Sequence, residues 1–265
     1  MSPFSMPLHV VNAFYQPERD TITLLPGILL PPFYSPVYDD VSNQAGLGMV
    51  AGHEFLHGND KDGHYYGASG RLGGNTWTAH DERAFEAHGD CIAAGYTAPS
   101  VCGYNASVAG YRSYGHQVLG EAAADLGGLR AAYGVFVRNS GGRPRYLFAL
   151  SPLPLHTHPP LLPQSKEAPP VLVGVCAKLL REQDGRGDVF AGGCVGVSLH
   201  ILTPQLPYPQ VLEDPHPVGR ERILNTLRQM PEFARDYGCL VGGQSMSPGR
   251  TCPLFGPTMA NVFIK

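Results

Sequence analysis

The chain has 265 residues, 43% of them hydrophobic and 15% charged, which is enough apolar material for one substantial folded domain. The net charge of −3 and the scattered lysines and arginines exclude the basic surface that nucleic-acid binding requires. No run of about 20 apolar residues is present to span a bilayer, and the first residues lack the basic start and apolar stretch of a signal peptide. Taken alone, these features predict a soluble protein without an export signal.

The first predicted elements are two short strands. Residues 8–15 and 21–25 are rich in Val, Ile, Thr and aromatic side chains and are separated by a polar turn, a pattern typical of paired β-strands. The PGILLPPFYSP run that follows contains too many prolines for a helix interior. We expect it to be an extended segment that shapes a surface.

Helical patterns dominate the rest of the chain, apart from residues 138–212, which are rich in Gly and Pro and are predicted to be irregular around one short helix near 171–181. Acidic residues in the first turn of the second helix favour its start, because the helix dipole attracts them. The sequence therefore predicts a mainly helical α+β protein with a small β-sheet at its N-terminal end. Helices are expected at about residues 39–57, 79–94, 118–137 and 218–237, the last interrupted near Pro231.

The end of the first predicted helix carries the motif His53-Glu54-Phe55-Leu56-His57. Histidines four residues apart lie on one helix face, so both imidazoles can reach a single metal ion. The carboxylate of Glu54 projects beside that ion, where it can accept a proton from a metal-bound water. The motif alone also fits two surface histidines on a helix, and that alternative stays open at this point.

A third ligand is needed, because a catalytic zinc site has three protein ligands and one open position. Glu121 is the candidate, since it lies on the third predicted helix among small residues that allow close approach. Asp125 follows one turn later on the same face, where it can hydrogen bond the free N–H of a ligating histidine. The sequence thus predicts one zinc ion per chain, bound by His53, His57 and Glu121.

Two further residues are candidates for stabilising the oxyanion that forms when water attacks a peptide carbonyl. His216 precedes the last predicted helix and Arg222 lies near its start. Both side chains can donate hydrogen bonds to a developing negative charge. From their spacing alone, both also fit ordinary solvated side chains.

A series of longer motifs follows the same order as in one known family. They are VNAFY at 11–15, PGIL at 26–29, PPFY at 31–34, GLGMVAG leading into HEFLHG at 46–58, WT at 77–78, LGE with AD and GG at 119–128, HP at 216–217 with Arg222, and MPEF at 230–233. On these residues the chain resembles the C-terminal catalytic region of the neprilysin and endothelin-converting enzyme family of zinc metalloendopeptidases. The resemblance implies a zincin core of the thermolysin-like gluzincin type.

The resemblance also implies roles for individual residues. Asn12 and Ala13 look like the strand that hydrogen bonds the substrate backbone, which fits β-addition of an extended peptide. His216 resembles the histidine that stabilises the transition state, and Arg222 resembles the arginine that grips a substrate carbonyl. The acids expected behind the metal-binding histidines are Asp60 and Asp125.

The family's activity gives the expected function: hydrolysis of small peptides, with a preference for large hydrophobic residues after the scissile bond. Met49 and Val50 fall at positions that line the corresponding pocket. A disulfide between Cys91 and Cys252 is implied, as are peptide substrates and an extracellular or cell-surface location. Cys239 resembles a cysteine that normally bonds to the N-terminal part of the family.

Three departures from the family are visible. The family's N-terminal anchor and helical cap do not precede Met1, the match fails between about 138 and 212, and Ala122 replaces the usual Asn. We therefore expect one catalytic domain over residues 1–265 without the cap. The competing hypotheses are a catalytically silent remnant that binds zinc or peptide without turnover, and a metal-dependent hydrolase acting on another substrate.

Overall fold

The computed structural model describes residues 6–74, 77–96, 114–139, 214–217, 219–236 and 251–254. The strands are β1 (Ala13–Gln16) and β2 (Thr21–Leu24). The helices are α1 (Asp40–Asn43), α2 (Met49–Leu56), α3 (Ala79–Ala93), α4 (Tyr114–Gln117), α5 (Leu119–Asn139), α6 (Gly219–Arg228) and α7 (Pro231–Asp236). The predicted mainly helical α+β architecture with a small N-terminal sheet is confirmed.

Strands β1 and β2 form an antiparallel hairpin in which Ala13 lies opposite Leu24 and Gln16 lies opposite Thr21. The hairpin is shorter than predicted, because residues 8–12 are outside the ladder. There the backbone turns instead, with the Val10 N–H donating to the Pro7 carbonyl at 3.1 Å. The Leu8 carbonyl accepts from the Gly27 N–H at 3.0 Å and the Asn12 carbonyl from the Leu25 N–H at 3.2 Å, so the segment is held by a local turn and by bonds to the residues after β2.

The proline-rich segment after β2 is not extended, and that prediction was wrong. Pro26–Ile28 forms a 3₁₀ turn, which proline tolerates at the first position because its missing N–H is not needed there. Ile28 and Phe33 are buried and pack with Ala13 and Val50 in a small cluster. The apolar side chains of the segment therefore fold it back onto the hairpin and α2.

The helical run that leads to the HExxH motif begins at the N-cap Asp39, whose side chain accepts from the Ser42 N–H at 2.7 Å. Between α1 and α2 it passes through a π-helical turn at Gln44–Gly48, and after α2 it ends in a 3₁₀ turn at His57–Asn59. A Cβ at Gly46 would lie 2.2 Å from the Phe33 carbonyl oxygen, so glycine is required at this approach. The predicted helix over 39–57 is confirmed.

Helices α2 and α5 pack closely through glycines. A Cβ at Gly128 would lie 2.6 Å from the His53 backbone nitrogen, and a Cβ at Gly52 would lie 3.0 Å from the Gly128 Cα. No side chain separates the two backbones at this point. The contact places the first turns of α5, which carry Glu121 and Asp125, directly beside the HExxH helix.

Helix α3 is fixed at both ends. Thr78 and Asp81 form a reciprocal capping box at its start, and Cys91 near its end is disulfide-bonded to Cys252, 161 residues away in sequence. The helix predicted over 79–94 and the disulfide implied by the family resemblance are both confirmed.

The main apolar core lies between α3, α5, α6 and α7. Its largest fully buried side chains include Phe233, Leu126, Leu227 and Val118. The break between α6 and α7 falls just before Pro231, as predicted. Helix α5 runs to Asn139, two residues into the region predicted to be irregular.

The remaining predictions fall outside the described residues. They concern the irregular region from 140 onward, the short helix near 171–181 and Cys239. Within the described ranges, no helix combines the length and apolar character that crossing a membrane requires.

Candidate metal centre

Three side chains converge between α2 and α5. The Nε2 atoms of His53 and His57 are 3.0 Å apart, with the two rings nearly perpendicular at 88°. Glu121 places Oε2 3.3 Å from His53 Nε2 and Oε1 3.6 Å from His57 Nε2. The structure therefore brings the three predicted zinc ligands to one point.

The hydrogen bonds behind the two imidazoles determine which nitrogen faces that point. His53 Nδ1 lies 2.9 Å from Asp125 Oδ1, and His57 Nδ1 lies 2.7 Å from Asp60 Oδ2. Because a carboxylate accepts, each Nδ1 carries a proton, and the other ring nitrogen, Nε2, faces Glu121 in both histidines. Three potential ligand atoms thus face one another, an arrangement that bound protons or a metal cation stabilise.

The donor set fits zinc. Two imidazoles and one carboxylate form a known catalytic zinc ligand set, and bonds of about 2.0–2.1 Å in a tetrahedron put ligand atoms about 3.3 Å apart. The observed separations of 3.0, 3.3 and 3.6 Å bracket that value. Among the His, Cys, Asp and Glu side chains of the described residues, His53, His57 and Glu121 form the group whose ligand atoms are close enough to share a metal ion.

Electrostatics at this point favour positive charge. Burial would lower the pKa of His53, but its hydrogen bonds to Asp125 and Glu121 outweigh burial and raise that pKa to about 9. Burial would raise the pKa of Glu121, yet His53, Arg222 and His216 hold it well below its usual range. The centre therefore retains either protons or a metal cation near neutral pH.

Asp125, behind His53, is paired with Arg222 of α6. Arg222 Nε lies 2.5 Å from Asp125 Oδ2, and Nη2 lies 2.8 Å from Oδ1 and 3.2 Å from Glu121 Oε2. The guanidinium holds the pKa of Asp125 below its usual range against the opposing effect of burial. The sequence did not predict this pairing, because the two residues are 97 positions apart and share no motif.

Asp60, behind His57, is held by its own loop. Its Oδ1 accepts the backbone N–H groups of Asp62 at 2.8 Å and Gly63 at 2.7 Å. Burial would raise the pKa of Asp60, but His57 and these N–H groups lower it. The carbonyl of Asp60 accepts from His64 Nδ1 at 2.7 Å, and the His64 ring stacks on Trp77 at 4.4 Å.

Glu54, the acid inside the HExxH motif, is buried and lines a cavity of about 430 Å³ together with the metal-facing side chains. Burial raises its pKa above the usual value for glutamate, and the neighbouring histidines partly oppose that effect. A carboxylate with a raised pKa is a stronger base and is suited to accept a proton inside the cavity.

His216 approaches the centre from the other side. Asp214 Oδ1 accepts both the His216 backbone N–H at 2.9 Å and Nδ1–H at 2.6 Å. The opposite nitrogen, Nε2, lies 3.3 Å from Glu121 Oε1. The Asp214 carbonyl accepts from Gln117 Nε2 at 2.8 Å. The sequence analysis assigned no role to Asp214 or Gln117. An Asp side chain often accepts the backbone N–H of the residue two positions later, and this turn pattern could have suggested Asp214.

One wall of the cavity is formed by β1 and the residue before it. Asn12 and Ala13 both line it, and the Asn12 side chain accepts the Ala13 N–H at 3.0 Å. Within the described residues β1 pairs only with β2, so its second edge has no strand partner there. Met49 and Val50 are buried and do not line this cavity.

Tyr15, on the same strand, also lines the cavity and donates its hydroxyl to Asp20 Oδ1 at 2.8 Å. Burial and the nearby Asp20 raise the pKa of Tyr15 to about 12. Tyr15 is therefore a neutral hydrogen-bonding wall residue near neutral pH.

Comparison with known proteins gives a consistent result. The model of Peptidase family M13 matches residues 12–148, a range that includes all three metal-facing residues. The chain is 29% identical to endothelin-converting enzyme 1 of Homo sapiens over 255 residues, covering 95% of this chain and 28% of that protein. It is also 29% identical to neprilysin-3 of Drosophila melanogaster over 252 residues, covering 95% of this chain and 27% of that protein. The chain thus spans little more than a quarter of these relatives' length.

Solved structures share the fold. A zinc metalloprotease of Mycobacterium tuberculosis, Zmp1, in complex with an inhibitor superposes with a TM-score of 0.59 at 24% identity, covering 89% of this chain and 31% of Zmp1. A Haemonchus galactose-containing glycoprotein complex gives a TM-score of 0.62 at 24% identity, covering 95% of this chain and 36% of that one.

Proposed function

Because this chain belongs to peptidase family M13, we propose that it is the catalytic domain of a zinc-dependent endopeptidase. The observation that carries the proposal is the convergence of two imidazole Nε2 atoms and the Glu121 carboxylate on one point of a peptide-sized cavity. When bound by His53, His57 and Glu121, a zinc ion supplies Lewis acidity at that point.

Glu54 is the proposed general base. Its buried carboxylate lines the cavity next to the metal-facing atoms, where it accepts a proton from the attacking water. The protonated acid then passes that proton to the leaving amine. The raised pKa of Glu54 supports this role, because the carboxyl must hold the proton between the two steps.

His216 and Arg222 are the proposed donors to the substrate carbonyl oxygen as it becomes negatively charged. His216 presents Nε2 beside Glu121. Arg222 lines the cavity, and its Nη1 is buried without a hydrogen-bond partner among the described residues. A buried donor of this kind is stabilised when a substrate oxygen binds to it.

The proposed substrate is a small peptide that binds in an extended conformation along the edge of β1 that has no strand partner among the described residues, using Asn12 and Ala13. Its preference for a large hydrophobic residue after the scissile bond rests on the family resemblance. An extracellular or cell-surface location is proposed on the same ground, and the Cys91–Cys252 disulfide supports an oxidising compartment.

Metal analysis combined with a quenched fluorescent peptide, assayed with and without chelator, tests the proposal. We expect one zinc per chain and cleavage that chelator abolishes. Glu54→Gln should lower kcat by about 10²–10⁴-fold while zinc stays bound. The matched control is Glu86→Gln, an exposed acid on α3, which should leave kcat unchanged.

Two results would contradict the proposal. Cleavage by the Glu54→Gln variant at the normal rate would show that Glu54 is not the general base. Stoichiometric zinc without cleavage of any peptide would instead support a chain that binds zinc or peptide without turnover.

A further inference from the structure

The segment that carries His216 is rigid within itself. Pro215 and Pro217 flank the histidine and fix their own φ angles. The Asp214 carboxylate accepts both the backbone N–H and the Nδ1–H of His216. These contacts fix the imidazole relative to its own main chain. They do not fix where the segment lies relative to the metal centre.

Gln117 provides a contact that does so. Its side-chain Nε2 donates to the Asp214 carbonyl at 2.8 Å, across 97 positions of sequence. Gln117 is four residues before Glu121, and α4 continues into α5 through Val118. The Val118 N–H donates to the Tyr114 carbonyl at 3.1 Å, and its carbonyl accepts from the Ala122 N–H at 2.9 Å. Gln117 and Glu121 therefore lie on successive turns of one helix face.

The His216 segment contacts this face at two heights: the Asp214 carbonyl at Gln117, and His216 Nε2 at Glu121. Its C-terminal end continues into α6, where Arg222 is bound to the carboxylates of α5. We infer that Gln117 is a positioning residue that sets the His216 imidazole over Glu121. This inference rests on the proposed function, in which His216 stabilises the transition state.

Kinetics of the zinc-loaded protein test the inference. Gln117→Met keeps the length of the side chain and removes the donor. We expect kcat to fall about 3- to 10-fold, the effect of one net hydrogen bond, with zinc content and KM unchanged. In a His216→Ala background the same substitution should have no further effect on kcat, because Gln117 acts through His216.

Two more variants complete this test. Gln117→Glu has the same shape but presents an oxygen where the donor was, so it should reproduce the loss of kcat. His116→Gln is the matched control on α4, because the His116 ring is paired with Asp90 of α3. It should leave kcat unchanged.

The outcomes are separable. An unchanged kcat in Gln117→Met, or an equal fall in both backgrounds, overturns the inference. An unchanged kcat in His216→Ala alone overturns the role of His216 in the proposed function.

Hydrogen exchange provides a readout that needs no cleavage. In residues 214–217 only Asp214 and His216 have a backbone N–H, since the other two are prolines. In the metal-free protein, Gln117→Met should speed exchange of the His216 amide about 3- to 10-fold, as expected for loss of one net hydrogen bond, while α2 amides keep their rates. An unchanged His216 rate overturns the inference even if the chain cleaves no peptide.

Discussion

The two histidines of the metal centre are each held by a carboxylate, but the two carboxylates come from different parts of the fold. On the His53 side, the supporting carboxylate is Asp125, which lies 72 residues away on another helix and is held by Arg222. On the His57 side, the support is Asp60, three residues away and held by backbone N–H groups of its own loop. The His53 side chain is 7% exposed and that of His57 is 19% exposed.

The position of His53 thus depends on the whole fold, whereas the position of His57 depends on a local loop. The His53 side forms only when α2, α5 and α6 are assembled, and its charges are buried. The His57 side needs only the loop after α2. Damage to the first should therefore affect both folding and metal binding, whereas damage to the second should affect mainly metal binding.

The largest effect is expected for Arg222→Met. Removal of the guanidinium takes a positive partner away from two buried carboxylates, Asp125 and Glu121. Removing one partner of a buried ion pair costs about 3–5 kcal/mol, and denaturant unfolding of the metal-free protein should show a loss of that size. Arg228→Met on the same helix is the control, since that side chain is only part-buried and bonds Asn225. Equal stability of the two variants would show that the His53 side does not depend on α6.

The pH dependence of stability is the next effect. His53 has a pKa raised to about 9, above its unfolded value, so its stabilising contribution is complete below about pH 6.5. That contribution is lost as pH rises from about 6.5 to 9, by up to about 3 kcal/mol. Unfolding of the metal-free protein measured across this range should show the fall. Asp125→Asn should flatten it, and an equally steep fall in that variant would exclude the hydrogen bond between His53 and Asp125 as the source.

Asp125→Asn should also lower zinc affinity about 10- to 100-fold, the usual cost of losing a carboxylate behind a metal-binding histidine. Because Arg222 loses a buried partner at the same time, the free energy of unfolding should fall as well. Competition with a chromophoric chelator and denaturant unfolding measure the two quantities. A loss of zinc affinity with normal stability would mean that Asp125 supports metal binding but does not stabilise the folded protein.

Asp60→Asn should have the smallest total effect. Zinc affinity should again fall about 10- to 100-fold, measured by the same competition. Stability should change by less than about 1 kcal/mol, because the amide oxygen can still accept the loop N–H groups. A stability loss as large as that of Asp125→Asn would remove the distinction between the two sides.

The same distinction explains what the sequence could predict. The pairing of His53 with His57 follows from helix periodicity, because a spacing of four residues fixes a shared face. Glu121 was chosen on other grounds: a catalytic zinc needs a third protein ligand, and small residues around Glu121 allow close approach. Helix bounds were predictable where caps are local, as at Asp39 and Thr78. The residues of the His57 loop are likewise close in sequence, so Asp60 could be proposed from its spacing and the family resemblance.

Long-range contacts could not be predicted from spacing. The pairing of Arg222 with Asp125 joins residues 97 positions apart, and no pattern along the chain links them. Cys91 and Cys252 are 161 positions apart, and that pair was suggested by the family resemblance. The proline-rich segment was wrongly predicted as extended because burial of Ile28 and Phe33 depends on the hairpin and α2 being present.

The glycine contact between α2 and α5 has a consequence for ion choice. With the Gly128 Cα position pressed against the His53 backbone, the gap between the two ligand-bearing helices is set by main-chain atoms and not by adjustable torsions. A methyl group at position 128 would lie 2.6 Å from the His53 backbone nitrogen, so we expect it to move α5, which carries Glu121, away from α2. The size of ion that fits between His53, His57 and Glu121 therefore depends partly on a residue that does not face the ion.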